Sequence, residues 1–193
     1  MARRWPRSGS LVPADLDARV SGRTQWLVAA SLWVIAGFAF PFLSPATNLF
    51  SRDLQQYLAT TAGMSDELAY RVAFTIVRVP LTAVLATVIA AMQSAVVPRL
   101  RPLAQRWLSA AAAAGCVSTL IWLPTTLIAA QLVGNTSQGT VRLFLLTFGA
   151  GLLAGLVSFT QRRTTRPAVT VPGSFTATGV LASVLGASGG SAV

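Results

Sequence analysis

The sequence contains no histidine and no lysine, and after Glu67 it contains no further carboxylate side chain. From Leu68 to Val193 the ionisable side chains are therefore arginines, one tyrosine, Tyr70, and a single cysteine, Cys116. General acid–base chemistry by paired carboxylates is excluded over that stretch, as is activation of Cys116 or of a serine or threonine hydroxyl by a neighbouring base. A histidine–carboxylate metal site, a thiolate cluster and histidine-ligated haem or chlorophyll are likewise excluded. One cysteine permits no intrachain disulfide, and inside an apolar run it reads as a small buried hydrophobe. We therefore expect no enzymatic activity, no cofactor and no metal. A proton-coupled carrier, which needs an ionisable group within the membrane, is disfavoured, whereas uniport or a site of backbone carbonyls is not.

Charge is also scarce. Only 10% of the 193 residues are charged against 53% hydrophobic, with a mean hydropathy of +0.63, far from the roughly 25% charged residues of soluble domains. Such a chain needs lipid as part of its solvent, and four or five helices of about 20 residues consume most of its length. The expected class is all-α, a polytopic transmembrane bundle of about five helices. Its 15 basic residues against 5 acidic give a formal charge of +10, all of the basic residues being arginine. An arginine-only set in a chain rich in Ala, Gly and Val points to GC-rich coding and a bacterial source. The arginines cluster between apolar runs, which indicates membrane topology and not a nucleic-acid partner.

Residues 1–24 read as a basic cytoplasmic tail, too polar to open a cleaved signal peptide; Trp5 among Arg3, Arg4 and Arg7 is placed to touch the inner leaflet or to lie in a disordered tail. The remainder, 25–193, reads as one transmembrane domain. The first span is 25–43, with Trp26 as interfacial anchor, Trp33 as a packing residue and Pro41 starting the exit. Residues 44–66 are the longest polar stretch after the tail. Ser51 is expected to cap a short helix with Leu54, Tyr57 and Leu58 on one face, lying on the outer membrane surface or serving as a lid over a ligand cavity.

Ser65 is the expected N-cap of the second span, 67–97, with Asp66 and Glu67 in the first turn and a kink at Pro80. The third, 107–133, should bend at Pro124, where Thr125 and Thr126 are available to the freed carbonyls. The turn GNTSQGT follows; its Asn135 opens a glycosylation sequon of little weight in a bacterial chain. The fourth span, 143–160, carries Gly151 and Gly155 at GxxxG spacing, a close-packing face for a helix of this chain or of another. The fifth, 174–193, is weakly apolar, and Gly189 and Gly190 favour a frayed end.

Arg3, Arg4, Arg7, Arg19 and Arg23 outweigh Asp15 and Asp17 before the first span, whereas Arg52 faces Asp53, Asp66 and Glu67 after it. The tail is thus expected on the cytoplasmic side. Arg99, Arg101 and Arg106, then Arg162, Arg163 and Arg166, fall on that same side, where they attract the anionic inner leaflet by about 1 kcal/mol each. A faint echo links the second and third spans to the fourth and fifth: Gln93 precedes Trp107 by 14 residues, and Gln161 precedes Phe175 by the same spacing. Arg78 stands alone. Arg71 can pair with Glu67 one turn back, but Arg78 has no such partner. It either snorkels to the interface or meets an acidic partner protein, an anionic lipid or an anionic substrate.

Two functions fit. The first is a non-enzymatic accessory or scaffold subunit of a bacterial membrane complex, partnered by lipid and by other membrane subunits or copies of itself. The second is a small-molecule permease or the substrate-binding membrane subunit of a transporter, suggested by Pro80, Pro124, Thr125, Thr126 and Gln131.

Overall fold

The computed structural model describes residues 14–133, 138–166 and 168–190 and, among them, is all-helical. Trp5, Asn135 and residues 191–193 lie outside the described residues. The helices are α1 (Ala14–Ser31), α2 (Trp33–Ala39), α3 (Leu43–Thr60), α4 (Asp66–Val96), α5 (Ala104–Val133), α6 (Gln138–Thr165) and α7 (Ser174–Gly190). Four helical stretches are long and apolar enough to cross a membrane: Gly22–Thr60, Asp66–Val96, Pro98–Thr126 and Gly139–Thr165. The chain is thus a helical membrane-type bundle. At 17 residues, α7 is about 25 Å long, a little under the ~30 Å of a hydrocarbon core.

The largest departure from the sequence reading is at residues 41–66. Pro41 does not end the first helix. It sits in the first positions of a 3-10 turn, Phe40–Phe42, where a missing N–H costs no helical bond, and the chain continues directly into α3. Ser51 is accordingly inside a helix and caps nothing; its hydroxyl turns back to the Asn48 carbonyl. Nor does α3 lie alone on the membrane surface. It forms an antiparallel hairpin with α4 around Gly63 (φ +65°), where the Met64 N–H donates to the Leu58 carbonyl. Along α3, Leu54 and Leu58 are half-buried and Tyr57 is exposed. The last part of the N-terminal tail, from Ala14, is helical and belongs to α1.

Elsewhere each helix contains its apolar run, with α6 extending past the expected 143–160 at both ends, to Gln138 and Thr165. Ser65 is extended (ψ 147°) and immediately precedes α4, although its side chain makes no capping bond. The segment Pro98–Leu103 is a 3-10 turn leading into α5. The 134–140 turn is shorter than its composition suggests, since Gln138, Gly139 and Thr140 already belong to α6. At Pro124 the neighbouring hydroxyls serve different carbonyls from those expected. Thr125 donates to Trp122 (2.6 Å) and Thr126 to Leu123 (2.7 Å), whereas the carbonyl that proline deprives of its helical donor is that of Leu120.

The helices close into a ring in chain order: the α1–α3 rod, α4, α5, α6 and α7, with α7 returning to α1 and α2. Successive members are antiparallel, so five strokes bring the last helix back parallel to the first. Trp33 lies beside Gly179, Gly37 beside Ser183, Val34 beside Gly186 and Phe38 beside Gly190. That parallel seam is closed by small residues. A Cβ on Gly37 would collide with the Ser183 carbonyl oxygen, and one on Gly186 with the Val34 carbonyl oxygen. Large apolar side chains such as Leu27, Ile76, Val84, Leu120, Phe159 and Leu181 remain exposed on the outside.

One end of the ring is plugged by aromatics. Trp26, Trp107 and Phe175 meet with ring centroids 5.4–6.2 Å apart, so Trp26, expected at the interface, is instead buried in the core. Gln93 and Gln161 lie fully buried beside this plug. Each donates from Nε2 to a backbone carbonyl of the helix preceding it in the ring, Gln93 to Ala29 (3.1 Å) and Gln161 to Trp107 (3.5 Å). The two glutamines of the sequence echo therefore occupy equivalent structural positions. Trp107 and Phe175, each 14 residues further on, both contact Trp26.

Candidate functional site

The residue with most chemical content is Arg78, twelve residues into α4 and hence about 18 Å from its start. A snorkelling arginine would leave its head group exposed; Arg78 is 0% exposed. Its guanidinium sits 5.0 Å from the centre of the Phe40 ring and 4.8 Å from that of Trp122, a cation–π arrangement with an aromatic on either helix neighbouring α4. Nη1 donates to Ser44 Oγ at 3.1 Å. Nε and Nη2 have no hydrogen-bond partner.

Every member of the ring but α7 contributes to these surroundings. Phe40 comes from the 3-10 turn and Ser44 from the first turn of α3, so the break in the first rod is what turns both residues toward α4. Trp122 is fixed by its own hydrogen bond, Nε1 to the Leu145 carbonyl of α6 at 3.0 Å, and meets Phe40 edge to face at 5.6 Å and 87°. Gly149 of α6 leaves room for both rings, because a Cβ there would run into Phe40 and Trp122. Thr82, one turn on, donates to the Arg78 carbonyl at 3.0 Å. The site is thus a positive charge with aromatic walls and one hydroxyl, enclosed by the bundle. Chemically it can neutralise an anion.

No family model matches this chain, and no curated protein or solved structure shows significant similarity to it.

The other sequence candidates fall elsewhere. Arg71 is exposed near the start of α4 and pairs with Glu67, one turn back. Gly151 and Gly155 face α7 of the same chain: Cβ atoms there would come within 3.2–3.3 Å of Val184 and Val180 methyls. Arg99, Arg101, Arg106, Arg162, Arg163 and Arg166 are exposed at the aromatic-plug end, as is Arg23. At the opposite end Arg52, Arg71 and Arg142 are balanced by Asp53, Asp66 and Glu67. Cys116 is half-buried.

Sequence reasoning missed Phe40, Ser44, Trp122 and Gly149, which surround Arg78 but belong to four other elements. It also missed Gly37 and Gly186. The second of these left a signal, since Gly186 and Gly190 stand at the same GxxxG spacing as Gly151 and Gly155.

Proposed function

We propose that this chain is a non-enzymatic multi-pass protein of the bacterial plasma membrane, with five crossings and a cytoplasmic N-terminus, serving as an accessory or scaffold subunit of a membrane assembly. The reading is carried by the character of the interior. Apart from the Arg78 guanidinium, what the ring encloses is alanine, glycine, branched aliphatics, aromatics and a few amides and hydroxyls, several bonded to backbone carbonyls. These are groups that hold helices together. None has the acid–base character that turnover requires, and the sequence offers no carboxylate, histidine or lysine beyond Glu67 to supply it.

The orientation rests on the separation of charge between the two ends, with Arg23, Arg99, Arg101, Arg106, Arg162, Arg163 and Arg166 at one and a balanced set at the other. With Cys116 changed to serine, a cysteine at Ala62 should react with an impermeant maleimide on intact cells. One at Gln105 should react only after permeabilisation; the reverse pattern would invert the topology.

The accessory role predicts stoichiometric partners. Purification of the tagged chain from its native membrane in mild detergent or nanodiscs should yield a particle heavier than any multiple of this chain, with the same additional proteins each time. A clean monomer or homo-oligomer would remove this reading. It would put in its place a small-molecule permease or the substrate-binding membrane subunit of a transporter, which the inward-facing guanidinium of Arg78 favours.

A further inference from the structure

Two of the three nitrogens of Arg78 are idle, and they are the two that act together. Nη1 is engaged by Ser44, while Nε and Nη2 are buried and without a partner. The Nε–H and the adjacent Nη2–H lie in one plane and point the same way, forming the fork that grips two oxygens of a carboxylate or phosphate at once. Phe40 and Trp122 occupy positions around the guanidinium within cation–π range, and both are held in place by packing against each other at Gly149.

Among the described residues no acidic side chain fills the fork. Asp53, Asp66 and Glu67 are exposed toward the α3–α4 turn, Glu67 being paired with Arg71, and Asp15 and Asp17 lie in the first turns of α1, at the aromatic-plug end. Leu68 to Val193 offers neither aspartate nor glutamate. A full positive charge enclosed among helices, with two unsatisfied donors, is strongly disfavoured unless something neutralises it.

We propose that the Nε/Nη2 edge of Arg78 is the binding site of an oxyanion with two coplanar oxygens, a carboxylate or a phosphate group, held inside the bundle between Phe40, Ser44, Arg78 and Trp122. The group belongs either to a small free anion or to the phosphate of a lipid. The inference requires only the closed bundle, and neither an accessory nor a transport role.

The test uses the full-length protein, washed in chloride and held in neutral-lipid nanodiscs. Formate and inorganic phosphate are titrated against chloride at matched ionic strength, and melting is followed by tryptophan fluorescence. A saturable rise in melting temperature of several degrees is expected with formate or phosphate over chloride. R78K, which keeps the charge and loses the fork, should abolish it; R71K, the same exchange at an exposed arginine of the same helix outside the site, should retain it. Nitrogen-15 NMR provides a readout in the unsubstituted protein: one exchange-protected arginine Nε–H resonance should shift with formate.

Native mass spectrometry separates the sources. A phospholipid retained one per chain in the wild type and lost in R78K assigns the oxyanion to lipid, whereas the formate response without a retained lipid assigns it to a free anion. Overturning results are equally concrete: no anion selectivity, no shift of a protected Nε–H and no retained anion or lipid in the wild type, or a response in R78K equal to that of the wild type.

Discussion

Replacing Gly186 or Gly37 by valine is expected to destabilise the bundle by about 3 kcal/mol or more, or to prevent its assembly. The reason is what lies opposite. At both positions the first atom a side chain would meet is a backbone carbonyl oxygen of the facing helix, Val34 for Gly186 and Ser183 for Gly37, well inside contact distance. A side chain can rotate away from an intruder; a helix backbone can only move as a body. Moving α2 from α7 would open the one seam at which the ring closes with parallel helices, where Ser183 also donates to the Ala150 carbonyl at 2.8 Å.

The contrast lies with Gly151 and Gly155. Their neighbours are valine methyls, which can give by tenths of an ångström. Alanine at either position recovers up to about 1 kcal/mol of helix propensity, which offsets the strain, so the net change should stay within about 1 kcal/mol of zero. Gly139→Ala, at an open position near the start of α6, should be neutral or slightly stabilising. Thermal melts of the purified variants in one detergent provide the comparison. A G186V protein melting within two or three degrees of wild type would mean that α2 and α7 do not cross as described.

These glycines show where the sequence is and is not informative. A GxxxG spacing announces a close approach but not what approaches, and the tolerance of the site depends entirely on the partner atom. Gly37 has no such spacing at all. The same division runs through the fold. The limits of α4 were legible to within a residue because an apolar run begins at a serine with two acids behind it and ends at a proline and an arginine. The α1–α3 rod was not, because the fully buried positions of α3 carry hydroxyls. Thr47 and Ser51, one turn apart, are its buried residues, and each satisfies its oxygen on a carbonyl of its own helix. Hydrophobic periodicity cannot find a packing face built that way. Arg78 was conspicuous as a charge in an apolar helix, but its direction was hidden. Whether such a residue faces lipid, a partner or its own core depends on where Phe40 and Trp122 lie, which local sequence does not encode.

Trp107→Ala is expected to cost about 3–5 kcal/mol, whereas Trp107→Phe should cost little more than the area its smaller ring leaves unfilled. Trp107 is completely buried and contacts both Trp26 and Phe175, so truncation to alanine would leave a cavity at the centre of the plug, between helices too tightly joined elsewhere to collapse into it. Its indole N–H has no hydrogen-bond partner, so phenylalanine removes a buried donor that contributes nothing and keeps most of the aromatic contact. Trp122 behaves in the opposite way. There the N–H donates to Leu145 and the ring stands against the Arg78 guanidinium, so Trp122→Phe should cost about 1–2 kcal/mol through the lost bond and the weakened cation–π contact. The order of the two phenylalanine variants is the decisive quantity. Equal costs at 107 and 122, measured by melting or by denaturant-induced unfolding in the same lipid, would mean that burial alone sets the role of both tryptophans. A clear excess at 122 would identify that residue as the anchor which holds its ring against the guanidinium of Arg78.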